Sequence, residues 1–469
     1  PRLAGRLPHE PWWAVLEHLL SVVADSGGID MEKEPLAHQL LAGELPLTLS
    51  YLLPEISPCR KLRSAAKSAL SSGLVDLLDG EGILHAKDVG LMRPLLACWT
   101  RCRALSSEIK GGSWTSEANE QYEWFVRHSM RMTRHDGSQV FSNASDKTNS
   151  KDLFRAALKF DNDDDDHDIG MLALPGGKKS ESKRIEEADL PEPGANSEWA
   201  SIGVLRRRWS RSTSQLTVLY HEQSLRTEFA AGKDVLWSGR WTAEIRLGGQ
   251  TAMPKSQWEE VCWVSDEDVD FLELEIELTE GIRLQRQMVL AREDKFLLLA
   301  DVVLGKQPGK LEYRGCLPLG TGISFQADDE GREGMLVGSK PRALVMPLAL
   351  PEWRADQRIG ELTQTDAGLQ LTQSVEGSRL YAPLWFDLDR RRMTRRKTWR
   401  QLTVAESLLV QPVDVAAGFR VAVGKEQWLV YRSLAETANR TLLGHNLSSE
   451  MLVAQFDKSG AVEPLVEVD

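Results

Sequence analysis

From residue 268 to residue 304 the apolar positions recur on every second residue: Leu272, Leu274, Ile276 and Leu278 alternate with Glu273, Glu275 and Glu277. A period of two points successive side chains to opposite faces, so the pattern predicts an antiparallel strand with one face in a core and the other in water. Thr279, Glu280 and Gly281 interrupt it as a tight turn does. Ile282, Leu284, Met288 and Leu290 then resume the alternation, and residues 295–304 add a third strand. Arg286 falls on the apolar face of this unit. A guanidinium there needs either a buried carboxylate such as Asp301 or a wet cleft to point into, and both readings stand at this level.

Upstream the period changes. Trp12, Val15, Leu16, Leu19, Leu20 and Val23 keep helical spacing behind Pro11, and Gly27 and Gly28 end the run. Further helices are expected near 32–42, 45–53, 59–72, 88–106 and 116–133, with Pro94 kinking or restarting the fifth of the six. Short loops and one-sided apolar faces predict stacked antiparallel helix pairs. From about residue 199 the reading is almost all strand. Leu216, Val218 and Tyr220 alternate with Thr217, Leu219 and His221, residues 235–245 read as an aromatic strand pair around a turn, and glycines punctuate short strands through the middle. The fold class is therefore α+β, with N-terminal helical hairpins (residues 1–160) followed by a large antiparallel β-sandwich (residues 199–469). Between them, residues 161–198 open on the acidic run from Asp161 to Asp168 and end in Pro191, Glu192, Pro193 and Gly194. This segment is expected to be a solvated linker, since the run lacks the Gly and Glu positions of a helix-loop-helix calcium site.

Composition narrows the partners. The formal net charge of −12 excludes a general nucleic-acid binder, which needs a basic field. No apolar run is long enough to span a membrane. Five cysteines, odd in number and with only Cys98 and Cys102 close together, give neither a disulfide framework nor a complete zinc set. No cofactor is called for, and a structural divalent metal is left open. Fifteen Trp against six Tyr is a bias that suits stacking platforms for sugars as well as ordinary cores. The chain starts at Pro1 without a signal pattern, which is read as a processed end or a truncation.

No nucleophile elbow, phosphate loop, dinucleotide fingerprint or zinc-protease helix is present, so any active site is assembled from distant residues. Tyr220 and His221 are the types needed to take and return a proton, or else a core Tyr beside a surface His. Arg134, His135, Asp136, Gly137 and Ser138 close the last helix of the first half, either facing a cleft or simply stopping the helix with favourable cations. The basic clusters Arg206 to Arg208 and Arg390 to Lys397 meet a polyanion or face water.

The order of these pieces resembles the heparinase II/III-like family of polysaccharide lyases. The resemblance rests on Arg134 to Gln139, on Val204 to Trp209, on Leu284 to Gln287 and Leu297 to Asp301, and on the closing Tyr431 to Leu434 and Asn439 to Gly444, which are similar to a bacterial branch. It implies an incomplete α/α toroid with an antiparallel β-sandwich, an acidic polysaccharide partner, and cleavage beside a uronic acid by β-elimination. It also implies a periplasmic or secreted location. On this resemblance His221 is the base, Tyr220 or Tyr122 the proton donor, and Arg134, Arg286 or Asn143 the carboxylate neutraliser. His135 is a substrate contact and Trp241 stacks on a sugar ring. Where the family carries a His-rich stretch, this chain reads Tyr220-His221-Glu222-Gln223-Ser224. A non-catalytic carbohydrate-binding protein, or a structural or assembly protein, is the alternative. The sequence leaves the oligomeric state open.

Overall fold

The structure is a computed structural model that describes residues 6, 8–142, 150–177, 185–354, 359–457 and 460–469. By compactness the chain divides into one unit of residues 1–191 with 199–201 and a second of residues 192–198 with 202–469.

The first unit is helical: α1 (His9–Asp25), α2 (Pro35–His38), α3 (Leu45–Leu52), α4 (Ser57–Lys61), α5 (Arg63–Asp76), α6 (Met92–Ser106), α7 (Ser116–Arg131), α8 (Ser150–Leu158) and α9 (Asp164–Ala173). The expected break between residues 42 and 45 is absent. A π-helical turn, Gln39–Glu44, joins α2 to α3, because Pro46 has no N–H to give an α-helical carbonyl partner. Pro94 lies in the first turn of α6, where a missing N–H is harmless, and the helix does restart there. Helix α7 buries Ala118, Tyr122, Phe125, Val126 and Ser129 on one stripe, and its first turn is capped by the Thr115 hydroxyl. Trp99 of α6 meets Phe125 edge-on at 4.9 Å and donates through its indole nitrogen to the buried Gln39 at 2.9 Å.

The acidic run departs from its expectation as a solvated linker. Asp163 caps α9, and Arg127 bridges Asp163 and Asp166 at 2.5 and 2.6 Å. Asp161 and Asp166 are buried, and burial, together with the Asp166 charge, pushes the Asp161 carboxyl up to about 8. The folded state therefore holds a proton that an unfolded Asp releases near pH 4, so stability falls as pH rises from about 4 to about 8. Asp161→Asn is expected to remove that slope. In urea titrations at pH 5 and pH 8 the variant should gain on the wild type by on the order of 2 kcal/mol at the higher pH, and an unchanged slope would contradict a protonated Asp161.

The second unit is built of antiparallel sheets. A five-stranded sheet runs in sequence order, β1 (Ala195–Ser197), β2 (Ile202–Arg206), β3 (Ser214–Leu219), β4 (Arg226–Ala231) and β5 (Asp234–Arg240). An 11-stranded sheet is centred on Val269–Glu277, Arg283–Ala291, Phe296–Leu317 and Gly368–Asp387. A second five-stranded sheet and a four-stranded one follow toward the C-terminus. The hairpin expected from alternation is present, turned by Glu280 and Gly281 at φ 60° and 66°.

Its environment differs from the expectation of one wet face. Leu272, Leu274, Leu284 and Met288 pack with Leu216, Phe229 and Trp237 in one core. Val269, Phe271, Val289 and Phe296 pack with Trp399, Phe419 and Trp428 in another. The strand Val269–Glu277 is thus covered on both faces for most of its length. Glu273, expected in water, is buried and accepts from the fully buried Arg432 at 3.1 Å. The aromatic stretch 235–245 is not a hairpin either. The chain changes sheets at Trp241, and Thr242–Leu247 pairs with Phe296–Leu317.

Candidate functional site

Arg286 and Asp301 are directly opposite in the central sheet, and Arg286 Nε donates to Asp301 Oδ1 at 2.8 Å. A further guanidinium nitrogen donates to the Trp241 carbonyl, and Tyr313 donates its hydroxyl to Asp301 Oδ2 at 2.7 Å. The guanidinium carbon lies 4.3 Å from the Trp241 ring centroid and 5.1 Å from that of Trp258. Arg286 and Asp301 are 1% and 0% exposed, so this is a buried, hydrogen-bonded pair. Arg286 does not face a cleft. Trp241 is likewise buried, with its ring beside that guanidinium rather than open to a sugar.

The two tyrosines are also enclosed. Tyr122 is 0% exposed with its hydroxyl 3.1 Å from Thr100 Oγ1, and burial raises its pKa. Tyr220 is 2% exposed and donates to Glu260 Oε2 at 2.9 Å; burial and the Glu260 charge both raise its pKa. Both hydroxyls are thus engaged inside the protein rather than presented to solvent. Arg134 stabilises its own turn, with guanidinium contacts to Ser138 and Ser142 and its backbone N–H on the Ser138 carbonyl at 2.8 Å. Gly137 at φ 88° and Asp136, which accepts from Ser138 N, complete that turn, with His135 half-buried within it. Asn143 lies outside the described residues. Each basic cluster has one structural member, Arg206 buried on Gln215 and Arg392 holding the buried Asp387, while Arg208 pairs with Glu293 at the surface and Arg390, Arg391, Arg395 and Arg396 are exposed.

His221 is different. It follows β3 in the turn to β4, and its side chain is 41% exposed with Glu222 3.7 Å away. The turn is fixed by Glu222 at φ 55°, by Ser224 N–H on the His221 carbonyl and by Trp258 N–H on the Glu222 carbonyl at 2.8 Å. The register then places two residues that the sequence reading missed. Arg226 pairs with Leu219 on one side and with Arg240 on the other. Both arginines are exposed, and both lie at the end of the sheet that carries the His221 turn. Residues directly opposite share a face, so this end of the sheet carries two positive side chains on one side, which attracts an anion. Arg240→Ala is accordingly expected to leave stability unchanged or raise it by a few tenths of a kcal/mol, while weakening retention on an immobilised polyuronate. Loss of stability without loss of retention would contradict this reading. The sequence signal for Arg226 was the six-residue connection Tyr220 to Leu225. Arg240 needed the register of a strand pair bulged at Phe229 and Ala230.

Among the described residues no group of three or more His, Cys, Asp or Glu side chains is placed to hold a metal ion. All five cysteines are free. No helix among the described residues is long and apolar enough to cross a membrane.

No protein-family model matches the sequence, and no curated protein matches it. Solved structures do match. A heparinase III gene product aligns with TM-score 0.61 and 11% identity over 91% of this chain and 69% of its own. The crystal structure of a heparinase III gives TM-score 0.59 and 13% identity, covering 89% and 69%. A mutant heparan sulfate lyase from Pedobacter heparinus gives TM-score 0.55 and 9% identity, covering 84% and 66%. In fold, helices followed by stacked antiparallel sheets, this chain is similar to heparinase III.

Proposed function

We propose that this protein binds a uronic-acid-containing polysaccharide and cleaves it by β-elimination, with His221 as the base. The observation that supports this most is one sheet end, in a heparinase-like fold, where the turn after β3 carries an accessible imidazole and the neighbouring strand ends carry two opposed arginines. The roles follow from charge. Arg226 and Arg240 pair with the uronate carboxylate and stabilise the enolate-like charge that develops as C5 loses its proton. Neutral His221 takes that proton, the C4–O bond breaks, and the imidazolium returns the proton to the leaving oxygen. One residue serving as base and then acid suits a structure in which Tyr122 and Tyr220 are enclosed. The products are a chain with a free hydroxyl and a 4,5-unsaturated uronide.

The same enclosure of both tyrosines favours a second reading, binding without cleavage. Incubation with a panel of uronate polymers separates the two. A rise in ultraviolet absorbance from the unsaturated uronide supports elimination, and retention on the polymer without absorbance supports binding alone. Neither signal on any polymer sinks both readings.

A further inference from the structure

One row of residues crosses the 11-stranded sheet at the end where its hairpin turns. Glu277, Arg283, Leu304 and Arg379 stand directly opposite one another on neighbouring strands, so they share a face. Beyond Leu304 the register with the strand Gly368–Asp387 breaks until Gly309, and Lys306 falls within that break. Gly305 comes so close to the neighbouring backbone there that a Cβ would lie 2.6 Å from the Ser378 carbonyl oxygen. The row and the break line a cavity of about 530 Å³, with Lys255 and residues 433–436 completing its walls. That volume is within the range of small-molecule sites.

Some of the charges around this cavity are satisfied and others are not. Arg283 pairs with Glu275 at 3.0 Å, and Glu450 with Arg432 at 2.7 Å. Arg379 reaches only the Asp414 carbonyl, at 3.4 Å. Lys255, Lys306, Glu277 and Glu436 are exposed, and among the described residues no side chain of opposite charge pairs with any of them. A ligand for this space brings anionic groups for Lys255, Lys306 and Arg379, hydroxyl donors for Glu277 and Glu436, and apolar faces for Leu278, Ile282 and Leu434. A bare anion is repelled by the carboxylates, and a neutral sugar leaves the cations without partners. A uronate chain supplies carboxylates, hydroxyls and apolar ring faces together. The cavity also lies close to the His221 turn. Lys255 N–H bonds the Glu277 carbonyl at 2.8 Å, and Trp258 N–H bonds the Glu222 carbonyl at 2.8 Å. Three residues of chain span at most about 11 Å, so one short strap joins the cavity to the turn.

We propose that this cavity is a second subsite for the polyuronate, holding sugars of the same chain beyond the one cleaved at His221. Lys255, Lys306 and Arg379 pair with the carboxylates of those sugars, and Glu277 and Glu436 accept from their hydroxyls. The inference rests on the polyuronate reading of the His221 turn and adds a length of chain to it. The test is calorimetric titration of the full chain, carrying His221→Ala so that the ligand stays intact, with dimers and hexamers prepared from each polymer of the uronate panel. The hexamer of one polymer is expected to bind at least about tenfold more tightly than its dimer, because only the longer chain reaches both places. Adding Lys255→Ala and Lys306→Ala, both at exposed positions, should bring the two affinities within about threefold. Adding Glu277→Ala instead should weaken the hexamer, whose hydroxyls lose an acceptor. Equal affinity for dimer and hexamer, a hexamer advantage that survives the loss of both lysines, or a hexamer bound as tightly or more tightly with Glu277→Ala would each overturn the subsite alone. Failure of every oligomer to bind would sink the polyuronate reading and the subsite with it.

Discussion

Arg286→Met lowers the stability of the protein by about 3–5 kcal/mol in a urea titration, the largest single effect expected in the sheet unit. The reason is the partner left behind. Asp301 is 0% exposed and accepts from Arg286 and Tyr313, so removing the guanidinium strands a carboxylate in a low-dielectric interior. The aromatic contacts to Trp241 and Trp258 are lost as well. Arg286→Met combined with Asp301→Leu and Tyr313→Phe should recover part of the loss, because the stranded carboxylate and the hydroxyl that bonds it are removed together. The opposite pattern, unchanged stability with lost polysaccharide binding, would return Arg286 to a cleft.

His221→Ala behaves in the reverse way. Its side chain is part exposed in a turn held by backbone hydrogen bonds, so stability should stay within about 0.5 kcal/mol of the wild type. The rate of uronide formation should fall by about 10²–10⁴-fold, the usual contribution of a general acid–base group. If His221 serves as both base and acid, Tyr220→Phe should not reproduce that loss. Its cost falls instead on Glu260, which loses the hydroxyl that donates to it. A Tyr220→Phe loss of activity equal to that of His221→Ala, at unchanged stability, would restore the tyrosine to the chemistry.

What the sequence disclosed follows the range of the interactions involved. Alternation between residues 268 and 304 is a local property, and it gave the hairpin, its turn and the anomaly at Arg286. The helical stripe of α7 was readable for the same reason. The second covered face of the hairpin was not, because Glu273 is neutralised by Arg432, 159 residues away, and a distant partner leaves no local trace. Glutamates at alternate positions look solvated until that partner is known. Residues 235–245 misled for a related cause, since aromatic alternation continues smoothly through a change of sheet at Trp241. The acidic run looked like a linker because charge density dominates composition, yet one cation, Arg127, is enough to fold Asp163 and Asp166 onto the helices. At the candidate site the residue types were visible and their exposure was not. Tyr220 and His221 are neighbours in sequence, and the pleat sends one into the core while the turn leaves the other in solvent.

Elimination of a uronate polymer at His221 is read by proton NMR of a polyuronate digest, with wild-type protein and His221→Ala run in parallel. A vinylic C4 proton is expected at the new non-reducing ends in the wild-type digest, and its near absence with His221→Ala. Saturated new ends, or vinylic ends formed equally well by His221→Ala, would contradict it.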